Sequence, residues 1–166
     1  MAVEITTHRF LVTDASWRPL VFEKAYIYHG YVDRDARTAI TLRIKGDGDA
    51  KLVLNTSGGA FAKAEFECDI AIEDANDMLK RCHGAVVEKI RHLVIDDGQR
   101  WTIDVYTKIR REKPPRPLVI AEAELARDAA SRPPMPDWID PAAAASDAYS
   151  ELNLALRGLP SSEKPP

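Results

Sequence analysis

Hydrophobic and polar residues alternate along much of this chain, which is the pattern of β-strands with one polar and one apolar face. In residues 118–125, LVIAEAEL, the acids Glu122 and Glu124 share one face with Ile120, and small or apolar side chains form the other face. A half-solvated edge strand would explain this segment. A sheet whose polar face lines an interior space would explain it equally. The neighbouring segments are needed to distinguish these two arrangements.

The same alternation recurs in residues 40–45, 63–70, 86–95 and 100–107. Short glycine-containing turns, GDGD at 46–49, SGG at 57–59 and DDG at 96–98, predict hairpins between antiparallel strands. The polar faces of these strands carry charges of both signs. The charged residues are Arg43, Lys63, Lys89, Arg91, Glu65, Glu67, Asp104, Glu122 and Glu124.

Two helices are predicted among the strands. Apolar residues at helical spacing predict an amphipathic helix with Asp74 as its N-cap and Gly84 at its end. A second helix is predicted from Asp140, which precedes a first-turn proline, to Gly158. We expect residues 1–158 to form one domain and residues 159–166 to be a disordered tail, with a proline-rich loop at 110–117.

The composition excludes several classes of protein. With 166 residues, 45% hydrophobic and 30% charged, the chain suits one globular domain. A net charge of -3 argues against nucleic-acid binding. The polar N-terminus and the absence of long apolar runs argue against export and membrane spanning, so we expect a cytoplasmic protein.

The cysteines and histidines offer no familiar site. Cys68 and Cys82 lie at apolar-facing positions and are expected to be buried free thiols. The histidines lack metal-ligand spacing and are expected at the surface or in turns; they are His8, His29, His83 and His92.

If the sheet closes on itself with its charges inward, it forms a polar tunnel lined by cations and acids. Arginine and lysine would then bind phosphate oxygens, and clustered carboxylates would bind a divalent ion that bridges those oxygens. A sheet that is merely solvated on its charged face is the alternative.

The ordered series of segments resembles the CYTH or triphosphate tunnel metalloenzyme family. The segments that carry the resemblance, in chain order, are HRFLV, YHGYV, TLRIKGDGDAKLVL, KAEFECDI, VVEKIRHLVIDDGQRWTIDVY and AEAEL. The resemblance as a whole covers the chain from about Phe10 to Trp138. The resemblance implies an α+β fold, a closed antiparallel eight-stranded β-barrel with flanking helices. It also places Glu122 and Glu124 inside the tunnel.

The resemblance implies a role for each matching residue. The implied substrate-binding residues are Arg9, Arg43, Lys63, Lys89 and Arg91, and the implied metal ligands for Mg²⁺ or Mn²⁺ are Asp104, Glu122 and Glu124. Glu65 and Glu67 would be supporting acids of the tunnel, or would simply pair with cations across strands.

The chain departs from the family pattern at positions that matter for the chemistry. The two glutamates of the opening E-x-E-x-K motif correspond to Ile5 and Thr7, and its lysine corresponds to Arg9. Thr41 and Asn55 stand where the family has cations, and Ala142 stands where it has a late glutamate.

Two functions are therefore open. In the first, the chain hydrolyses a triphosphate weakly with a metal ion, acting on a triphosphate-containing small molecule or on inorganic polyphosphate. Alternatively, it is a non-catalytic phosphate-ligand-binding or regulatory module. The substrate, the catalytic residues and the oligomeric state do not follow from the sequence.

Overall fold

The alternating segments form one antiparallel sheet in the computed structural model of the chain, which describes residues 5–34, 38–46, 48–56, 64–126, 128, 130, 132 and 134–161. The strands are β1 Ile5–Leu11, β2 Val21–Arg34, β3 Thr38–Lys45, β4 Ala50–Thr56, β5 Ala64–Asp69, β6 Val86–Asp96, β7 Gln99–Ile109 and β8 Leu118–Ala126. The α-helices are α1 Ile72–Lys80 and α2 Glu151–Arg157. No helix among these described residues is long and apolar enough to cross a membrane.

The sheet is a curled half-barrel, with its strands in the order β1-β8-β7-β6-β2-β3-β4-β5. The predicted eight antiparallel strands are confirmed, whereas the predicted closure of the barrel is wrong, because β1 and β5 form the two edges of the described sheet without pairing. The acids Glu65 and Glu67 of the short strand β5 pair with cations on the neighbouring strand β4 and on β3 beyond it. The polar face of β5 is thus satisfied without a contact to β1.

Three tryptophans anchor the apolar core on the convex face of the sheet. Trp17, Trp101 and Trp138 are each at most 4% exposed, and they pack with apolar residues of β1, β6, β7 and β8. The Trp101 and Trp138 rings meet edge to face, with centroids 5.3 Å apart, a favourable aromatic geometry. The chain segments before β2 and after β8 therefore cover the outside of the half-barrel.

Helix α1 packs on the other part of the convex face, against strands β3 and β4. It begins two residues before the predicted N-cap Asp74, which lies in its first turn. The turn after this helix approaches β2 closely at Gly30. A Cβ at this position would lie only 2.7 Å from the Cys82 sulfur, so the contact requires a glycine. Cys82 is buried as predicted, whereas Cys68 is exposed on β5, because no helix covers that strand.

The second predicted helix is broken into three pieces. Pro141–Ala143 and Asp147–Tyr149 are 3-10 turns, and only Glu151–Arg157 is α-helical. Asp140 caps the first turn by accepting from the Ala142 backbone N–H at 2.8 Å. Gly158 ends α2 with a φ of 77°, as expected of a C-terminal glycine.

Helix α2 lies over the end of the sheet where β7 finishes and β8 begins. Leu154 and Ala155 of α2 are fully buried and pack with Val87, Tyr106 and Leu118. Leu159, in the predicted tail, packs against the same cluster, and residues 162–166 lie outside the described residues. The short helix closes one end of the concave face.

Candidate anion-binding groove

A groove of about 680 Å³ runs along the concave face of the half-barrel. Strands β1, β2, β3, β4, β5, β6, β7 and β8 and helix α2 all contribute to its walls. Its charged and polar lining comprises Arg9, His29, Tyr31, Arg34, Thr41, Arg43, Asn55, Glu65, Lys89, Arg91, Tyr106, Glu122 and Glu151. Four of the five predicted substrate-binding cations therefore face one space, and the fifth, Lys63, lies outside the described residues.

Lys89, Arg91 and Asp104 form the floor of the groove. Arg91 lies directly opposite Asp104 on the β6–β7 ladder, and its Nε and Nη2 atoms each donate to the carboxylate at 2.8 Å. The Lys89 ammonium donates to the same carboxylate at 2.8 Å. Burial alone would raise the pKa of Asp104, but the charges and hydrogen bonds of Lys89 and Arg91 outweigh it and lower that pKa.

Glu151, at the start of α2, forms a second buried ion-pair group at the closed end of the groove. Its carboxylate accepts hydrogen bonds from the Lys89 ammonium and from Nδ1 of His29. Burial would raise the pKa of Glu151, but the electrostatic interactions and hydrogen bonds with His29 and Lys89 hold that pKa well below its usual range. Lys89, only 4% exposed, is thus shared between Asp104 and Glu151.

His29 is enclosed by the groove rather than placed at the surface as predicted. Its side chain is 17% exposed and stacks on the Tyr31 ring at 5.1 Å. The Nε2 atom is buried and has no hydrogen-bond partner among the described residues. His92, also predicted at the surface or in a turn, is likewise buried, and its ring packs against Trp17.

Arg9 and Glu122 face each other near the β1 edge. They are direct partners in the β1–β8 register, and the Arg9 Nε donates to Glu122 at 2.9 Å. Both side chains are about one-third exposed. Glu122 therefore points into the concave space, as the alternation in β8 predicts.

Arg43 extends the cationic lining toward the β5 edge. One of its terminal nitrogens lies 2.8 Å from Glu67 and 3.3 Å from Glu65. Glu67 also accepts from Lys51 at 2.8 Å, and these contacts, with the hydrogen bond from Lys51 as the largest cause, lower the pKa of Glu67. Both acids thus pair with cations across strands, and among the described residues these cations are Arg43 and Lys51 instead of Lys89 or Arg91.

The three acids suggested as metal ligands are not gathered into one cluster. Both oxygens of Asp104 accept from Lys89 and Arg91, and Glu122 accepts from Arg9. Glu124 is exposed and does not line the groove; together with Glu122, Thr7 and Arg100 it lines an adjoining hollow. Among the described residues no group of three His, Cys, Asp or Glu side chains could hold a metal ion, and the cations paired with Asp104 and Glu122 compete with Mg²⁺ or Mn²⁺ for these carboxylates.

The departures from the family pattern fall in different places. Thr41 and Asn55 line the groove, and Thr41 is buried and donates to the Val53 carbonyl at 3.5 Å. Thr7 lies outside the groove, opposite Glu124 in the β1–β8 register. Polar, uncharged groups thus occupy two positions of the groove where the resemblance leads one to expect cations.

A second hollow of about 350 Å³ continues the groove away from α2 and shares Ile27, Arg43 and Arg91 with it. Among the described residues, its charged lining consists of five cations and one acid: Lys24, Arg43, Lys45, Arg91, Arg100 and Glu23. This hollow is therefore lined by more cations than acids.

The sequence did not reveal Glu151 and His29 as site residues. Their pairing joins α2 to β2 across 122 residues of sequence, and neither residue belongs to a recognisable motif. The one available signal is that His29 shares its strand face with Ile27 and Tyr31, which also face the groove.

The chain matches no protein-family model and no curated protein by sequence. Solved structures do resemble it. The inorganic triphosphatase NE1496 is 23% identical with a TM-score of 0.65, over 93% of this chain and 96% of that chain. A separate crystal structure of NE1496 gives 24% identity and a TM-score of 0.66, over 92% and 98% of the two chains. The PH1012 protein from Pyrococcus horikoshii OT3 is 13% identical with a TM-score of 0.50, over 76% and 82%.

The chain thus has the fold of an inorganic triphosphatase over nearly its whole length. The resemblance inferred from the sequence is confirmed in this fold.

Proposed function

We propose that the chain is a divergent member of the triphosphate tunnel family, and that it binds a triphosphate or a short inorganic polyphosphate in the concave groove. One observation carries the proposal: Arg9, Arg43, Lys89 and Arg91 face one groove. The fold shared with an inorganic triphosphatase supports it.

The groove suits a phosphate chain because its cations are held in place before a ligand arrives. Asp104 fixes the Arg91 guanidinium with two hydrogen bonds, while the side chain of Arg91 stays 38% exposed to the groove. A guanidinium held in this way can donate to phosphate oxygens without losing much conformational freedom on binding. Arg9 and Arg43 would contact the same anion from either side.

Hydrolysis is proposed to be weak. The inferred ligands Asp104, Glu122 and Glu124 lie apart, and two of them are neutralised by arginine or lysine. A family-like metal would need these carboxylates to be free, so no step through a metal ion is assigned to them. Positioning by cations alone would supply only part of the stabilisation that phosphoryl transfer requires.

The second candidate is a binding or regulatory module without turnover. The pairing of the groove acids with cations favours it, because an acid satisfied in this way does not recruit a metal ion. Both candidates predict anion binding, and they differ only in phosphate release.

The test is a screen of the purified full chain with tripolyphosphate, ATP and thiamine triphosphate, each with and without magnesium or manganese. Calorimetry measures binding, and a phosphate assay measures release. We expect tripolyphosphate binding at low salt and slow or undetectable phosphate release. Absence of binding for every compound would contradict both candidates.

A further inference from the structure

The groove has an internal acid at one end and surplus cations at the other. From this polarity we propose that Glu151 is a specificity-determining residue. It excludes phosphate groups from the α2 end, and the anion chain extends instead across Arg43 and Arg91 toward Arg100. This inference rests on the proposed function and adds which part of the groove the phosphate chain occupies.

The carboxylate of Glu151 stands where an anionic group would otherwise bind. It accepts from Lys89 and from His29 at the closed end of the groove, whose lining also includes the cation Arg34. An incoming phosphate at this end would have to displace Glu151 or lie beside its negative charge. Either alternative is costly, because the group is only 19% exposed and its charge is poorly screened there.

The position of Glu151 is fixed by the packing and hydrogen bonds of helix α2. Glu151 is the first residue of α2, whose N-cap Ser150 accepts from the Asn153 backbone N–H at 3.3 Å. Three and four residues after Glu151, Leu154 and Ala155 are fully buried against the sheet. At its C-terminal end, the Arg110 side chain donates to the Ala155 and Leu156 carbonyls at 3.1 and 2.6 Å. The helix and its acid are therefore fixed against the groove.

The opposite end of the concave face adds further cations. The second hollow, which shares Arg43 and Arg91 with the groove, adds Lys45 and Arg100. Arg100 is exposed on β7, so it can reach an anion without breaking a buried ion pair. A chain of phosphates lengthening from Arg91 gains cations in this direction and meets Glu151 in the other.

The experiment compares the full chain with Glu151→Gln, Arg100→Ala and a control, Glu88→Gln. Glu88 pairs with Lys108 at 3.2 Å and does not line the groove, so its replacement removes the same charge elsewhere. Calorimetry measures the affinities for inorganic pyrophosphate, tripolyphosphate and tetrapolyphosphate in a buffer that contains a metal chelator.

Glu151→Gln is expected to bind tripolyphosphate and tetrapolyphosphate roughly tenfold tighter or more, since Lys89 becomes available for a charge-assisted hydrogen bond. The gain for pyrophosphate is expected to be smaller, because a short anion is satisfied at Arg43 and Arg91. Arg100→Ala should weaken binding of the two longer anions roughly fivefold and of pyrophosphate less. The latter effect does not depend on how α2 tolerates a substitution.

Three results would overturn the inference. If wild type and Glu151→Gln bind each anion equally well, Glu151 does not set specificity, although the proposed function stands. If Glu151→Gln binds all anions more weakly, Glu151 builds the groove instead of restricting it. If no protein binds any anion, the proposed function itself fails and the inference fails with it.

Discussion

Lys89 and Asp104 form an ion pair at 2.8 Å in which the two side chains are only 4% and 6% exposed. The carboxylate also orients Arg91, so one buried acid positions two of the cations that face the groove. Asp104, inferred from the sequence as a metal ligand, acts in this structure as the partner of the cationic floor.

The first prediction concerns this pair. Asp104→Asn should lower the free energy of unfolding by about 3–5 kcal/mol, because removing one partner leaves the Lys89 charge buried and less well compensated. Urea unfolding of the full chain measures the change. Glu88→Gln, which breaks a more exposed pair on the same strand, should change stability by less than about 1 kcal/mol.

Equal stability of Asp104→Asn and wild type would show that the buried pair contributes nothing net. In that case the double variant Lys89→Met with Asp104→Leu would also be as stable as wild type, and the floor of the groove would be maintained by packing alone.

The second prediction concerns acid stability. Asp104 and Glu151 have pKa values below their ordinary values of 3.8 and 4.5, Glu151 well below. Because the unfolded chain then binds more protons than the folded chain at low pH, stability rises with pH in this range. The contribution is fully present above the ordinary values and is lost as the pH falls through the lowered ones.

Urea unfolding at several pH values between 7 and 3 measures this dependence. Wild type should lose more stability over this interval than Glu151→Gln does, since the variant has one linked carboxylate fewer. The expectation is refuted if the two curves run parallel throughout.

Much of the fold could be predicted from alternation, because a strand has a period of two and its faces are set by which residues are apolar. The strand face with Lys89 and Arg91 and the strand face with Glu122 both point into the groove, as their segments indicate. The turn at 96–98 joins β6 to β7, as its sequence predicts. These features depend on residues close together in the chain.

The features that could not be predicted depend on long-range packing. Whether the sheet closes depends on how its two edge strands, β1 and β5, meet, and alternation says nothing about that. Glu124 shares a strand face with Glu122, and both line one hollow, but only Glu122 also lines the groove, so sharing a strand face did not ensure a place in the groove. Glu151 reaches the groove only because α2 docks on strands that are distant in sequence.

The third prediction concerns anion binding. Arg91→Ala should weaken tripolyphosphate binding by about 1.5–3 kcal/mol, the usual contribution of a hydrogen bond to a charged group. Calorimetry at low and moderate salt measures the loss, and the affinity of wild type should itself fall as salt screens the groove. Arg18→Ala is the matched control, since Arg18 lies over Trp17 on the convex face, outside the groove.

If Arg91→Ala and Arg18→Ala weakened binding to the same extent, the protein would bind tripolyphosphate through its overall charge. The groove would then not be the binding site.

The last prediction concerns metal. The resemblance to the tunnel family places glutamates at the positions of Ile5 and Thr7, and Thr7 lies opposite Glu124 in the β1–β8 register. In the double variant Ile5→Glu with Thr7→Glu, the substitution at position 7 should therefore place a carboxylate near Glu124. We expect this variant to bind Mg²⁺ or Mn²⁺ more tightly than wild type in the presence of tripolyphosphate, because carboxylates and phosphate oxygens together complete the ion's shell.

Thr13→Glu, exposed beyond the end of β1, is the control for added charge. Calorimetry gives the metal affinity, and a phosphate assay gives the hydrolysis rate. If the double variant gains neither, the matching of these positions to the family motif is wrong. Wild type turning over at roughly 1–1000 per second, a rate ordinary for enzymes, would instead show that the missing glutamates are not needed for hydrolysis.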